Sequence, residues 1–341
     1  MSRIDDLIAE LCPNGVEYKA LGSIARIKNG KDHKSLGEGD IPVYGSGGVM
    51  RYVDNYVYDK PSVLIPRKGS LGNLFYVDVP FWNVDTIFYT EINESLACPK
   101  FLYYFLTTVG LGEMNNAGGV PSQTQSVLNK IQIPIPPLEI QREIVKVLDT
   151  FTKLEAELEA ELEARRRQYH YYRDQLLNFE GRDDVQWMTL GEVAINQDSK
   201  RRPVTKSARN KGEIPYYGAS GIVDYVSDYI FDGDFLLVSE DGANLIARST
   251  PIAFSISGKT WVNNHAHVLQ FNSYTERKLI EIYLNSIDLT PYISGGAQPK
   301  LNQANLNKIP IPVPPLEEQT RIVAILDKFD ALVNDLSSGL P

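Results

Sequence analysis

The chain has 341 residues, 34 Lys and Arg against 43 Asp and Glu, and a net charge of −9; 43% of residues are hydrophobic and 23% charged. That length fits about two domains, and the composition excludes a wholly disordered chain, a collagen-like repeat and a cysteine-rich secreted scaffold. There is no run of about 18 apolar residues to span a membrane, and the start, with Asp5, Asp6 and Glu10, lacks the apolar core of a signal peptide. With Cys12 and Cys98 read as free thiols, the expectation is a cytoplasmic protein.

In chain order, residues 4–11 read as a short helix. Residues 57–66, 75–80 and 85–90 are short apolar or alternating runs broken by Gly and Pro, the pattern of strands. A short helix is expected at 99–109. Pro136-Pro137 then opens a longer one, with Glu139 in its first turn near the positive dipole end. Ile144, Leu148, Phe151, Leu154, Leu158 and Leu162 recur every three or four positions, and Tyr169, Tyr172, Leu176 and Phe179 continue them. About 40 helical residues span about 60 Å, and their single apolar stripe requires a partner helix, as in a coiled coil. Between Glu139 and Glu163 eight acids face three bases, so more than half of the net charge sits on this helix. Further strands are expected at 231–238 and 267–271, and a helix at 276–286. A last helix from Pro315 carries Ile322, Leu326, Phe329, Leu332 and Leu336 and stops by Gly339 and Pro341.

Much of this occurs twice. Leu21-Gly22 recurs as Leu190-Gly191, Ile41-Pro42-Val43-Tyr44-Gly45 as Ile214-Pro215-Tyr216-Tyr217-Gly218, and Gly118-Gly119 as Gly295-Gly296. Leu128-Asn129-Lys130-Ile131 recurs as Leu306-Asn307-Lys308-Ile309, and Pro134-Ile135-Pro136-Pro137-Leu138-Glu139 as Pro312-Val313-Pro314-Pro315-Leu316-Glu317. The matches keep their order, which identifies an internal repeat with approximate two-fold symmetry. Leu7-Ile8 stands before Leu21 as Leu176-Leu177 stands before Leu190, so the N-terminal helix would complete the second long helix and close a ring of domain, helix, domain, helix. The expected class is α/β (α+β): domains at 1–137 and 181–314, a spacer helix at 138–180 and a short one at 315–341.

No catalytic constellation is visible. Ser257-Gly258-Lys259-Thr260 has the look of a phosphate-binding loop, but Ala253 stands where the first Gly is needed and the following residues look like strand. Gly45-Ser46-Gly47-Gly48 follows a strand without opening a helix. His265 and His267 fall on one strand face; without a third ligand, and with a counterpart near Asp85 in the first copy, they read as hydrogen-bonding groups rather than metal ligands.

Basic loops are the stronger signal. Residues 199–212 contain Lys200, Arg201, Arg202, Lys206, Arg209 and Lys211 without an acid, and Lys28, Lys31, His33 and Lys34 occupy the matching stretch of the first copy. Arg67-Lys68-Gly69-Ser70 is a second basic turn, and Arg51 and Arg248 lie near turn residues. Any one of these cations could be merely solvated, but two copies at matching positions point to phosphate contacts. Ser46, Ser220 and Ser239 lie in glycine turns, where small side chains can approach bases. Arg165-Arg166-Arg167 follows the acidic stretch as a solvated face or a protein contact.

The tandem arrangement of Ile-Pro-x-Tyr-Gly followed by Pro-Pro-Leu-Glu-x-Gln-x-x-Ile-Val-x-x-Leu-Asp, carried by Pro136 to Asp149 and Pro314 to Asp327, resembles the specificity subunits of type I restriction-modification systems over essentially the whole chain. Arg165-Arg166-Arg167-Gln168-Tyr169 and Tyr171-Tyr172-Arg173 add to the likeness. The resemblance implies two target-recognition domains, each reading one half of a bipartite double-stranded DNA site, separated by antiparallel coiled-coil helices. The helices would dock two methyltransferase subunits, which restriction (motor-nuclease) subunits join. The chain itself would do no chemistry and hold no cofactor; S-adenosylmethionine, ATP and magnesium belong to its partners. Against it stand a scaffold or decoy that docks methyltransferases without reading DNA, and a nuclease in its own right. The four-residue repeat Leu154-Glu155-Ala156-Glu157, Leu158-Glu159-Ala160-Glu161, Leu162-Glu163-Ala164-Arg165 adds about 6 Å per tetrad, comparable to roughly two base pairs, as a ruler for the gap between half-sites would.

Overall fold

The computed structural model describes residues 3–114, 122–296 and 298–334. The chain divides into two compact units, Met1–Leu158 and Glu159–Pro341.

The first unit holds α1 (Arg3–Leu11), β1 (Tyr18–Ala20), α2 (Leu21–Ile24), β2 (Ala25–Lys28), β3 (Ile41–Gly45), β4 (Gly48–Val53), β5 (Ser62–Pro66), β6 (Phe75–Val77), β7 (Trp82–Asn83), β8 (Ile87–Ile92), α3 (Pro99–Thr107), α4 (Gln125–Leu128) and β9 (Gln132–Pro134). Helix α5 (Leu138–Leu176) follows, 39 residues long. The main sheet has the order β2-β8-β5-β6 and a smaller one the order β4-β3-β7, while β1 and β9 form a separate antiparallel ribbon. Burial on both faces explains the unbroken apolar run of β5. Side chains alternate along a strand, so Val63 and Ile65 join Phe88 and α3's Leu102 and Leu106. Leu64 enters the opposite cluster with Val77, Phe81, Ile87 and Tyr89. The β3–β4 hairpin pairs Gly45 with Gly48 across a two-residue tip. Gly48 has φ 113° and its counterpart Gly221 φ 120°, where a side chain would be strained.

The second unit repeats the plan with β10 (Gln186–Thr189), α6 (Leu190–Val193), β11 (Ile195–Asn196), β12 (Lys211–Gly218), β13 (Gly221–Val226), β14 (Phe231–Asp232), β15 (Phe235–Ser239), α7 (Asn244–Ala247), β16 (Ala253–Ile256), β17 (Lys259–Val262), β18 (Ala266–Gln270), α8 (Tyr274–Ser286), α9 (Gln303–Leu306), β19 (Pro310–Val313) and α10 (Leu316–Asn334). Its sheets are ordered β11-β18-β15-β16 and β13-β12-β17-β14, and β10 pairs with β19 as β1 does with β9. The expected run at 231–238 is two strands, divided at Gly233, whose φ is 136°. The expected strand at 57–66 begins only at Ser62, with Tyr58 making a single bridge to Phe81. Helix α8 begins earlier than its periodicity suggests, because the Ser273 side chain accepts a hydrogen bond from the Glu276 amide.

Each long helix is fastened to its strand-rich unit by polar side chains of the Pro-Pro-Leu-Glu-x-Gln motif. Gln141 is 0% exposed; its amide nitrogen donates to Leu96 O and Pro136 O at 2.9 and 2.8 Å and its oxygen accepts from Cys98 N at 2.8 Å. Gln319 repeats the bond to Pro314 O at 2.8 Å. Farther along, Asp149 takes Lys100 at 2.9 Å and Tyr104 at 2.6 Å, and Asp327 takes Tyr274 at 2.8 Å.

Within the second unit, the end of α5 runs antiparallel to α10. Tyr172 stacks on Phe329 at 5.3 Å, and Arg165 Nη1 approaches Leu332 O at 3.4 Å. That supplies the partner helix for half of the α5 stripe. In the first unit α1 is tied to the start of α5 through Arg3 and Glu143 at 3.8 Å, and Phe151 stays 64% exposed. The expected ring closure involves residues 335–341, and the glycine doublet at 118–119 and Leu336 are further expectations; all lie outside the described residues.

Truncating Gln141 removes the partner of buried Pro136 O and of half-buried Cys98 N and Leu96 O. Gln141→Ala is expected to lower stability by about 1–3 kcal/mol, measured as a fall in the urea midpoint; an unchanged midpoint would show that the motif glutamine is not an anchor.

Candidate nucleic-acid interface

In the first unit four loops meet beyond the end of β5. Ser46 N, at the hairpin tip, donates to Thr86 Oγ1 at 3.3 Å, and Asn73 Nδ2 to Ser46 O at 3.3 Å. Arg67 N donates to Thr86 O at 2.8 Å and Arg67 O accepts from Gln123 N at 2.8 Å. Lys68 lies 3.9 Å from Asp85, and the Arg67 guanidinium rests 5.8 Å above the Phe88 ring. Lys31 comes to the edge of this group, its amide bonded to Asn83 O at 2.8 Å and its carbonyl to Trp82 Nε1 at 3.1 Å. The approach is close enough to require Gly30, where a Cβ would stand 2.0 Å from Val84 O.

The structure thus brings Lys31, Ser46, Arg67 and Lys68 together. It places the other predicted residues elsewhere. Lys28 is on the β2–β8 surface, paired with Glu91 at 3.6 Å. Arg51 donates to Leu36 O at 3.2 Å and so holds a loop. Lys34 is exposed, and its amide bonds Asp32 at 3.1 Å.

The basic loop of the second unit divides between solvent and core. Lys200, Arg202 and Lys206 are exposed, as is Ser220 at the hairpin tip. The Arg202 carbonyl accepts from Trp261 Nε1 at 2.7 Å, as Lys31 does from Trp82. Arg201, the neighbour of Arg202, turns inward and is 13% exposed; its guanidinium reaches Glu240 at 2.6 Å, Ala266 O at 2.8 Å and Asp198 at 3.2 Å. His267, 1% exposed, places Nδ1 2.5 Å from Asp198 and Nε2 2.7 Å from Leu301 O, and Lys300 reaches Glu240 at 3.1 Å. Burial raises the pKa of Asp198 and of Glu240, but hydrogen bonds from His267 and Arg201 respectively outweigh it and leave both below the usual carboxylate range. Asp198, Glu240 and His267 present ligand atoms within 4.8 Å of one another. Arg201 and Lys300 already supply the positive charge, so the group is an internal ion network rather than a fit for a divalent cation.

Other assignments change with the geometry. His265 and His267 do not share a face: His267 is buried in β18, whereas His265 precedes it, exposed, with Nδ1 2.9 Å from Asp241. The counterpart of His265 is Thr86, not Asp85, because Glu240 N donates to His265 O as Arg67 N does to Thr86 O. Ser239 is fully buried and donates to Ala219 O, closing the hairpin instead of approaching a base. Arg248, at φ 49°, donates to the Leu284 and Ile287 carbonyls at the end of α8, a cationic cap for the helix C-terminus. Gly258 is followed by strand β17, which removes the phosphate-loop geometry. On α5, Arg165 and Arg167 pair with Glu161 and Glu163 at 2.7 and 2.6 Å, and Arg166 is exposed.

The family described as the type I restriction modification DNA specificity domain matches the chain twice, over residues 13–164 and 182–341. The chain belongs to this family. A Haemophilus influenzae protein named as a type I restriction enzyme specificity subunit is 33% identical over 96% of this chain and 90% of its own length. The EcoR124I/EcoR124II specificity subunit of Escherichia coli is 33% identical over 74% of this chain and 68% of its own length. In fold, the chain is similar to the crystal structure of a type I restriction-modification S subunit from M. genitalium, with TM-score 0.66, 18% identity, and 95% and 93% of the two chains covered. Like the specificity subunits it resembles, the chain is a non-catalytic component. Among the described residues no helix is long and apolar enough to cross a membrane.

Adjacent arginines therefore separate by role. Arg201→Ala, which leaves two buried carboxylates short of a partner, is expected to cost about 3–5 kcal/mol of stability. Arg202→Ala is expected to change it by less than about 0.5 kcal/mol. Thermal melts of the two variants check this, and equal losses would contradict the inward placement of Arg201.

Proposed function

We propose that this specificity subunit reads a bipartite, gapped double-stranded DNA sequence, one half with each unit, and docks two methyltransferase subunits through its helices. The observation that carries the reading is the repetition of one loop platform, with exposed cations, at the corresponding end of both units. DNA contacts are assigned to Lys31, Lys34, Ser46 and Lys68 in the first unit and to Lys200, Arg202, Lys206 and Ser220 in the second. Recognition domains at 1–137 and 181–314 and spacers at 138–180 and 315–341 complete the assignment. The acidic face of α5 stays away from phosphate, and Arg166, with Arg165 and Arg167, is assigned to a protein partner. The tetrads of α5 set the length of the gap. S-adenosylmethionine, ATP and magnesium act on the methyltransferase and restriction subunits, in the cytoplasm. A scaffold that only docks methyltransferases has no use for cations at matching loops of both units.

Charge reversal at the outward positions tests the reading. In the complex with its methyltransferase subunits, Arg202→Glu with Lys206→Glu is expected to weaken DNA binding and to flatten its dependence on log salt by about 0.9 for each phosphate that is no longer neutralised, with assembly intact. Unchanged DNA binding would favour the scaffold.

A further inference from the structure

The residue just past the central strand stands on the same backbone frame in both units but carries opposite charge. Arg67 N donates to Thr86 O at 2.8 Å, and Glu240 N to His265 O at 2.9 Å. Arg67 O accepts from Gln123 N at 2.8 Å, and Glu240 O from Leu301 N at 2.7 Å. Lys68 bridges to Ser122, and Asp241 to Lys300. These paired contacts identify Arg67-Lys68 with Glu240-Asp241, position for position.

The inner residue of each pair is used inside the unit: Arg67 over Phe88, Glu240 with Arg201 and Lys300. The outer residue reaches solvent, with the Lys68 side chain 48% and the Asp241 side chain 31% exposed. Each has one neighbour on the loop before β8 or β18: Asp85 for Lys68 at 3.9 Å, and His265 for Asp241 at 2.9 Å. Both lie beside their hairpin tip, since Gly69 adjoins Ser46 and Ser239 bonds Ala219.

The inner pair inverts its charge against partners inside each unit, Phe88 for Arg67 and Arg201 with Lys300 for Glu240, whereas the outer pair, Lys68 and Asp241, inverts its charge at the surface. A phosphate contact keeps its sign, because phosphate is an anion in every half-site. A position that inverts charge on an invariant frame fits a partner that offers acceptors in one place and donors in another, and the edges of DNA bases do so. We infer that Lys68 and Asp241 are equivalent base-reading residues, Lys68 donating to the O6 and N7 acceptors of guanine in one half-site and Asp241 accepting from the exocyclic amino group of cytosine or adenine in the other. His265 orients the Asp241 carboxylate through one ring nitrogen. The inference rests on the DNA-reading role proposed above.

The test is the modification pattern of the complete system expressed with Lys68→Asp, Asp241→Lys, or the conservative Lys68→Arg and Asp241→Asn, each checked for assembly by co-purification of the methyltransferase subunits. Lys68→Asp is expected to lower methylation of the original site on the order of ten- to a hundredfold and to move one position of a single half-site from guanine to cytosine or adenine. Asp241→Lys is expected to move one position of the other half-site toward guanine, and Asp241→Asn to relax that same position. Lys68→Arg is expected to retain guanine. A uniform loss across all sequences by an assembled variant, a change in both half-sites, or an unchanged motif with the near-isosteric Asp241→Asn would overturn the inference. If the unaltered complex marks no two-part motif, the DNA-reading role fails, and the inference with it.

Discussion

Each recognition unit depends on one closure. Leu21 N donates to Ile131 O at 2.8 Å and Gly22 N to Asn129 O at 3.1 Å; in the second copy Leu190 N bonds Ile309 O at 2.8 Å and Gly191 N bonds Asn307 O at 3.1 Å. A Cβ on Gly22 would stand 3.0 Å from the Asn129 Cβ, and one on Gly191 3.0 Å from that of Asn307, so glycine permits the approach. The bonds bring the two ends of each strand-rich excursion together, and the ribbons β1–β9 and β10–β19 carry both ends toward the helices. Everything between Leu-Gly and Leu-Asn-Lys-Ile can then vary in its loops without disturbing how the unit joins its spacer. The buried motif glutamines act on the same junction.

The electrostatic arrangement follows from this division. Acid collects on α5, where it stays solvated, pairs along the helix or, at Glu143 and Asp149, takes Arg3 and Lys100 of the first unit. The loop platforms carry exposed cations, and the buried charged group around Asp198 and Glu240 is balanced from inside by Arg201, Lys300 and His267. A net charge of −9 is therefore compatible with DNA recognition, because it describes the chain and not the surface at the loops.

The sequence made the repeat, the long helix and the α3 and α8 helices legible, because helical period, Pro and Gly punctuation and capping residues are local signals. The repeated Leu-Gly and Leu-Asn-Lys-Ile motifs were visible as repeats, but nothing local says that they bond to each other. Side-chain direction was the least legible. Arg201 and Arg202 are neighbours in the same basic loop, yet one completes a buried ion network and the other faces solvent. Arg248 looked like a loop cation and is spent on the end of α8, where two carbonyls lack partners. The partners of His267 come from residues 198 and 301, a separation that no motif spans. Gln141 was readable as part of a motif but not as a clamp on residues 96, 98 and 136.

The central claim is that two copies of one frame read two different half-sites. Modification-sensitive sequencing of cellular DNA, with and without this chain alongside its methyltransferase, tests it most directly. The account predicts a gapped, two-part adenine-methylation motif that disappears when the chain is removed. A methylation pattern that stays the same, although the chain still co-purifies with the methyltransferase, would contradict it.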